Sequence, residues 1–407
     1  MFTQIFKKIA LTTFLFLLLI RLQAQEADKI VIVIIDGARY TETLGDSSKT
    51  YTPVMWDLAK EGSVASNFNN DKYTYTSRAI PALWCGAWTE LNDVEYQGST
   101  TQSAVLPTLF EYYRKLKNMP ANECYYVLKY IPNLWLPSFD PDYGPDYWPE
   151  FHSIGDNDTE VATEALRIMD SEHPHFMLVY LADVDHEGHS GVWSRYTKAV
   201  HTSDSLVGVL WDKIQSDDFY KNTTSLIVTN DHGRHDDEHG GFRGHGDGCE
   251  GCRHIEFLAL GPNIKQNFVT NTYHRTPDMA VTASSILGIQ PTKSTGRIIQ
   301  EIFNTTQSTS LQLPNSLAVD CAPNPFTNSI SIRFTVAEPS WVNFSIYSLE
   351  GKHIATLMNG LQLKGQKELQ WLGKDLDGQN TTAGIYFYRL KIGDQSITGK
   401  LIRSRTN

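Results

Sequence analysis

The sequence predicts an α/β fold, a mostly parallel sheet covered by helices on both faces in an α/β/α sandwich, followed by a small C-terminal antiparallel β-sandwich. Three observations predict it. Continuous apolar and β-branched runs recur at residues 30–35, 124–130, 176–181, 226–229 and 257–260, as in strands buried on both faces. Between them lie segments of helical spacing at 53–61 (stopped by Gly62), 106–116, 160–169, 196–214 and 277–287, and strands alternating with helices build an open parallel sheet. After Asp320 the texture changes to short runs that alternate apolar and polar residues, at 329–334, 341–346 and 385–390, with Gly351, Gly360 and Gly384 between them. Alternation with regular turn signals marks an antiparallel sandwich.

Taken in order, the 407 residues open with Lys7-Lys8, an apolar run over 9–20 and Leu22-Gln23-Ala24. That is the pattern of a secretory signal peptide over residues 1–24, cut after Ala24. The run is shorter than the roughly 20 residues a bilayer span needs, and no membrane span is expected after cleavage. A catalytic-sized domain over 25–304 follows. Thr305-Thr306-Gln307-Ser308-Thr309-Ser310 begins a polar linker over 305–319, and the sandwich occupies 320–407. The net charge is −11 and no Lys/Arg block is long enough to grip a phosphate backbone, so duplex nucleic acid is excluded as a partner.

In parallel sheets the chemistry sits beyond the carboxyl ends of the strands. Asp36 follows the first run, Asp185 and His189 follow the run ending at Leu181, and Asp231-His232 follow the one ending at Thr229. Each residue alone reads as a turn, a cap or a surface group. Together they deliver carboxylates and imidazoles from three strands to one edge. Such donors suit zinc or a similar divalent ion, and two ions about 4 Å apart clamp the entering and leaving oxygens of a displacement at phosphorus. Asp36, Asp185, His189, Asp231 and His232 supply five ligands. The glycine-rich segment 241–248 offers His245 as the sixth, with His235, His239 and His254 as nearby rivals.

Ile34-Ile35-Asp36-Gly37-Ala38-Arg39-Tyr40, Thr52-Pro53, Asp185-His186-Glu187-Gly188-His189, Asn230-Asp231-His232-Gly233 and Thr276-Pro277-Asp278-Met279-Ala280 resemble, in order, the motifs of nucleotide pyrophosphatase/phosphodiesterase-like members of the alkaline phosphatase superfamily. The resemblance implies one metal on Asp36, Asp231 and His232 and another on Asp185, His189 and His245, as two zinc ions or else manganese. It also implies a Ser, Thr or Cys nucleophile about ten residues before a Gly. Counting back from Gly86 selects Thr76, with Thr74 and Ser77 as alternatives, unless Thr74 and Thr76 fill one face of a strand. Ser77-Arg78 replaces the Phe-Pro that follows the nucleophile in typical nucleotide pyrophosphatases. Arg78 is a candidate for a phosphate oxygen, and Asn92 or Gln97 for the family's phosphate-binding Asn.

Ala322-Pro323-Asn324-Pro325-Phe326, Thr382-Ala383-Gly384-Ile385-Tyr386 and the final Lys400-Leu401-Ile402 look like the sorting domain of type IX secretion cargo. That resemblance implies secretion or surface attachment via the periplasm, with the type IX machinery as partner. Cys249-Glu250-Gly251-Cys252 has the spacing of a zinc knuckle or redox pair. A knuckle needs a second Cys/His pair, and the nearest histidines are those expected at the catalytic site, so a disulfide bracing the His245 loop is the expectation. The whole reads as an exported two-metal hydrolase of phosphate mono- or diesters acting through phosphothreonine. The alternatives are a phosphoryl or phosphoethanolamine transferase, a sulfatase, or a catalytically dead exported binding protein.

Overall fold

The computed structural model describes residues 27–129, 135–304, 319–336, 339–349, 351–393 and 395–405. The expected signal peptide and all but the last residue of the expected linker lie outside them. The chain divides into two compact units, Met1–Thr306 and Gln307–Asn407. Among the described residues, no helix is long and apolar enough to cross a membrane.

In the first unit, β1 (Lys29–Ile35), β2 (Ser63–Ala65), β3 (Cys124–Leu128), β4 (Glu150–Ser153), β5 (Phe176–Leu181), β6 (Thr224–Thr229), β7 (Phe257–Leu260) and β8 (Phe268–Thr270) form one sheet in the order β8-β2-β7-β6-β1-β5-β3-β4. The run β6-β1-β5-β3-β4 is parallel throughout, and β7 lies antiparallel to both its neighbours. Every residue of β1, β3, β5 and β6 is buried, which is why these stretches read as continuous apolar runs.

Alternation along β1 sends its side chains to two cores. Ile30, Ile32 and Ile34 pack with Trp84, Phe110 and Tyr126 under α2 (Thr76–Cys85), α3 (Leu109–Lys117) and α7 (Asp278–Ile286). Val31, Val33 and Ile35 pack with Met55, Val161 and Leu210 under α1 (Pro53–Leu58), α4 (Asp158–Ser171) and α6 (Trp193–Ser216), with Val184 of α5 (Asp183–His189) joining them. Each fully buried aliphatic side chain is worth roughly 1.5–3 kcal/mol, so β1 anchors both layers.

The helix expected over 106–116 begins at Leu109, because Thr108 and Glu111 close a capping box there. The stretch holding Thr76 is the start of a helix and not a strand, with Pro81 accommodated in its interior. Residues Leu91–Tyr96 and Ser99–Ala104 form a polar hairpin that belongs to a separate three-stranded sheet with Trp135–Leu136.

The strands of the second unit pair antiparallel: Val319–Ala322, Ile330–Val336 and Gly365–Trp371 in one sheet, His353–Gln362, Ser340–Ser348, Gly384–Ile392 and Gln395–Arg403 in the other. Its core holds Ile330, Ile332, Phe334, Phe344, Trp371, Tyr388 and Leu401. The Pro-Asn-Pro-Phe segment is tied to the last strand. Asn324 donates to the Lys400 carbonyl at 2.9 Å and accepts from the Ile402 amide at 2.8 Å.

Candidate active site

β6, β1 and β5 are adjacent and parallel, with Ile34 in register with both Thr229 and Tyr180. The residues that follow them therefore emerge level at one edge. Asp36 leaves β1, Asp185 and His189 lie an i,i+4 step apart on α5, and Asp231-His232 follow β6. Gly37 has a φ of +66°, and a Cβ there would sit 2.7 Å from Asp185 Oδ1 and 2.9 Å from Arg234 Nη1. A Cβ at Gly188 would fall 2.3 Å from Arg234 Cζ. These two motif glycines let the β1 exit and α5 close around a buried arginine.

All six expected ligands converge. Asp36, Asp231 and His232 are buried, with His232 Nε2 3.5 Å from Asp36 Oδ1 and 3.4 Å from Asp231 Oδ2. His189 Nε2, His245 Nε2 and the Asp185 carboxylate form a triangle with edges of 3.1, 3.3 and 3.4 Å. His232 joins the two groups, its donor atoms lying with those of Asp185 and His245 as well as with those of Asp36 and Asp231. The His232 Nδ1–H donates to the Gly233 carbonyl at 2.8 Å and the His245 Nδ1–H to the Thr74 carbonyl at 3.0 Å. Both rings thereby present Nε2 lone pairs to the cluster. Of the rival histidines, His254 stacks on Tyr40 and bonds the Ser66 carbonyl, and His235 faces Asp247.

The electrostatics call for positive charge. Burial, then the charges of Asp231 and Asp185, push the Asp36 carboxyl well above its ordinary value. Burial likewise raises Asp231 to about 7 and lowers His232 and His245 to about 4. Burial opposes ionisation of Asp185 too, yet its hydrogen bond with His189 and the positive groups around it, Arg234 included, hold it well below the carboxylate range. Asp231 Oδ2 is buried with no hydrogen-bond partner. An orphaned carboxylate oxygen among neutral imidazoles fits divalent cations, and the oxygen and nitrogen donor set suits zinc or manganese.

Thr76 heads α2. Its Oγ1 lies 3.1 Å from His232 Nε2 and 3.5 Å from Asp36 Oδ1. The Thr74 hydroxyl is buried without a partner; among the described residues, neither it nor Ser77 has a hydroxyl bond to the ligand cluster. Tyr75, the N-cap, makes no side-chain cap bond, so the positive end of α2 is open beside the Thr76 hydroxyl. Arg78 is engaged elsewhere. Its guanidinium donates to the Thr89 carbonyl at 3.1 Å and to Glu90 at 3.2 Å, and it stacks on Tyr73. Asn92 is exposed on the polar hairpin, paired with Ser103, and Gln97 sits at its turn; the structure brings neither into contact with the ligand cluster.

Four supporting groups escape the sequence reading. Arg234 is fully buried, bonds Asp185 Oδ1 at 2.5 Å and also donates to the Phe242 and Arg243 carbonyls, tying the His245 loop to α5. The Tyr180 hydroxyl donates to Asp36 Oδ2. Asn230 donates to the Ala38 and His232 carbonyls at 2.7 and 2.8 Å, and Asn70 donates to the Asp231 carbonyl at 2.8 Å. The sequence signals were faint: an arginine and an asparagine flanking Asp231-His232-Gly233, and a lone hydroxyl inside an apolar strand. Cys249 and Cys252 are unbonded, their sulfurs 3.6 Å apart, instead of the expected disulfide.

Residues 70–239 match the family model described as type I phosphodiesterase / nucleotide pyrophosphatase. Residues 321–404 match the secretion system C-terminal sorting domain. No curated protein sequence matches the chain. Among solved structures, a mutant of the alkaline phosphatase PafA superposes with a TM-score of 0.51 at 11% identity, over 69% of this chain and 99% of that one. An inactive form of murine ectonucleotide pyrophosphatase / phosphodiesterase 5, in complex with AMP, gives 0.50 at 14% identity, over 68% and 100%. A 2-O GAG sulfatase, BT1596, gives 0.50 at 13% identity, over 81% and 84%. At these identities the likeness is one of fold. The first match holds Thr76, Asp185, His189, Asp231 and His232 within it, and the fold around it is alkaline phosphatase-like. Residues 70–239 of the first unit thus match the type I phosphodiesterase / nucleotide pyrophosphatase family within an alkaline phosphatase-like fold, and residues 321–404 match a secretion system C-terminal sorting domain.

Proposed function

We propose that this chain is an exported hydrolase of phosphate mono- or diesters that works through a covalent phosphothreonine at Thr76. The observation that carries the reading is the Thr76 hydroxyl within 3.1 Å of His232 Nε2 and 3.5 Å of Asp36 Oδ1, at the open end of α2. Two divalent cations, zinc or manganese, held by Asp36, Asp231 and His232 and by Asp185, His189 and His245, supply the charge that lowers the pKa of the hydroxyl and of water and offsets the phosphate. Thr76 Oγ1 attacks phosphorus as its proton passes to solvent water, the ester oxygen departs in line and takes a proton from water to leave as the alcohol, and the first-turn amides of α2 favour the anionic phosphoryl group. Water then attacks the phosphothreonine, releasing phosphate or a monoester and restoring Thr76.

The domain reading follows the same logic: a signal peptide over 1–24, the hydrolase over 25–304, a linker over 305–319, and a sorting domain over 320–407 that hands the chain from the periplasm to type IX secretion. A sulfatase of this fold needs a Cys or Ser for its modified nucleophile, and Thr76 offers neither. Thr76→Ala is expected to lose at least about 10³-fold in kcat on p-nitrophenyl phosphate and bis-p-nitrophenyl phosphate, while acid-quenched wild type carries phosphate on the Thr76 peptide. Turnover retained in Thr76→Ala sinks the mechanism. Faster turnover of sulfate esters sinks the substrate class.

A further inference from the structure

The loop that carries His245 to the active site leaves the sheet at Gly233 and returns at Cys252, where the Gly233 amide donates to the Cys252 carbonyl at 2.9 Å. A second set of metal-binding side chains gathers at this base. His235 Nε2 lies 3.4 Å from Asp247 Oδ1, and the same oxygen lies 3.4 Å from Cys252 Sγ. His235, Asp247 and Cys252 hold their donor atoms within 4.8 Å of one another. Cys249 Sγ lies next to this group, 3.6 Å from Cys252 Sγ, and also gathers with the donor atoms of Asp236 and His239.

We propose that Cys249, Cys252, His235 and Asp247 bind a zinc ion of their own, separate from the catalytic cluster. Two thiolates each about 2.3 Å from one tetrahedral zinc stand about 3.8 Å apart, close to the observed 3.6 Å. His235 Nε2 is buried and makes no hydrogen bond, as expected of a lone pair reserved for a cation. The Cys249 amide donates to Asp247 Oδ1 at 2.9 Å and so fixes that carboxylate in place. Asp236 and His239 also bring their donor atoms within 4.8 Å of Cys249, but His239 is exposed and bonded to Asp236 at 2.6 Å, so Asp247, which already lies against both His235 and Cys252, is taken as the fourth ligand. Sequence spacing alone cannot separate His235 from His245. In the structure one faces the cysteines and the other the catalytic edge, so His235 and Asp247 offer the two further donors that the Cys249/Cys252 spacing left open. Where the functional reading holds, this zinc staples both ends of the His245 loop.

The test uses sulfur as its reporter. The full chain, chelated and reloaded with Co²⁺, is expected to develop a near-ultraviolet thiolate-to-cobalt charge-transfer band. Zinc analysis should give about one equivalent more than the Cys249→Ser/Cys252→Ser variant. The catalytic cluster contains no sulfur, so Asp231→Asn should keep the band. A band without phosphoesterase activity rejects the catalytic reading and keeps this one; activity without a band overturns this one. Should the buried change at Cys252 prevent folding, peptide mapping of the unaltered protein under non-reducing conditions decides. Free Cys249 and Cys252 support the site, and a Cys249–Cys252 disulfide, which an oxidising compartment favours, overturns it.

Discussion

In the first unit Asp36, Asn230, Asp231, His232, Arg234 and Glu256 are all nearly inaccessible to solvent, whereas the one buried polar side chain among the described residues of the second unit is Ser345. Both units are built on strands, but they use them differently. The sorting domain alternates inward apolar with outward polar residues, and its charged pair Arg333–Glu368 lies in solvent, where such a pair is worth about 0–1 kcal/mol. The hydrolase unit buries its strands on both faces and concentrates carboxylates and imidazoles at their ends. Burying a charge is expensive unless it is paired or hydrogen-bonded; Glu111, Asp158, Asp204 and Asp278 are buried elsewhere in the unit and hydrogen-bonded there, whereas at this edge Asp231 Oδ2 is left without a partner.

The largest expected effect breaks that edge directly. Asp231→Ala removes a buried ligand and should cost at least about 10³-fold in kcat/KM, together with metal content, measured by elemental analysis of the purified variant. Wild-type turnover in that variant would make the buried charge structural. Arg234→Met should cost less, about 10–100-fold in metal affinity or kcat/KM, because it touches the ligands only through Asp185 and the His245 loop. Unchanged metal titrations would show that the arginine is scaffolding.

A pH series sharpens the same contrast. In the metal-free protein burial raises Asp231 to about 7, against an ordinary Asp near 3.9. Between about pH 4 and pH 7 the folded metal-free chain therefore holds an extra proton. Its stability from this group falls as pH rises through that window and levels off above it. Cation binding must displace the proton, so affinity should rise about tenfold per pH unit across the window, and Asp36, whose carboxyl burial also pushes well up, adds to that rise. His232 and His245, lowered to about 4, are neutral over most of it and add little. Isothermal titrations of the Cys249→Ser/Cys252→Ser variant in buffers of different ionisation enthalpy should find at least one proton released at pH 6. No release at that pH would place the cation elsewhere.

The sequence made the site legible where local pattern and function coincide. Asp36, Asp185 and Asp231 stand just past apolar runs, and His245 sits among glycines, so strand ends could be read as ligand positions. The helix of Thr76 was harder to see, because Pro81 and the Thr-Ser start mask its period. Arg234, Tyr180 and Asn230 act through partners far off in sequence, and no local spacing reports such pairs. Arg78 shows the converse: its character suited phosphate, but Thr89, Glu90 and Tyr73 claim it.

The smallest expected effect tests whether the two units are as independent as their cores. Each hydrophobic core closes within its own unit: Ile30 through Phe303 on the two faces of the sheet, Val319 through Leu401 in the sandwich. None of the proposed catalytic ligands, nor Thr76, lies beyond His245, the second proposed zinc site ends at Cys252, and the segment expected to join the units is polar. A chain ending at Asn304 is therefore expected to keep its metals, its melting transition and its kcat within about twofold, since the cores that bury the sheet are built from residues before the tail. Expressed in its own host it should stay in the periplasm, because the Pro-Asn-Pro-Phe segment and the last strand to which it is tied are gone. Retained export would refute the sorting role. A folded truncation that has lost its activity would show that the sandwich shapes the pocket, and the division between a unit that buries charge and one that carries an address would fail.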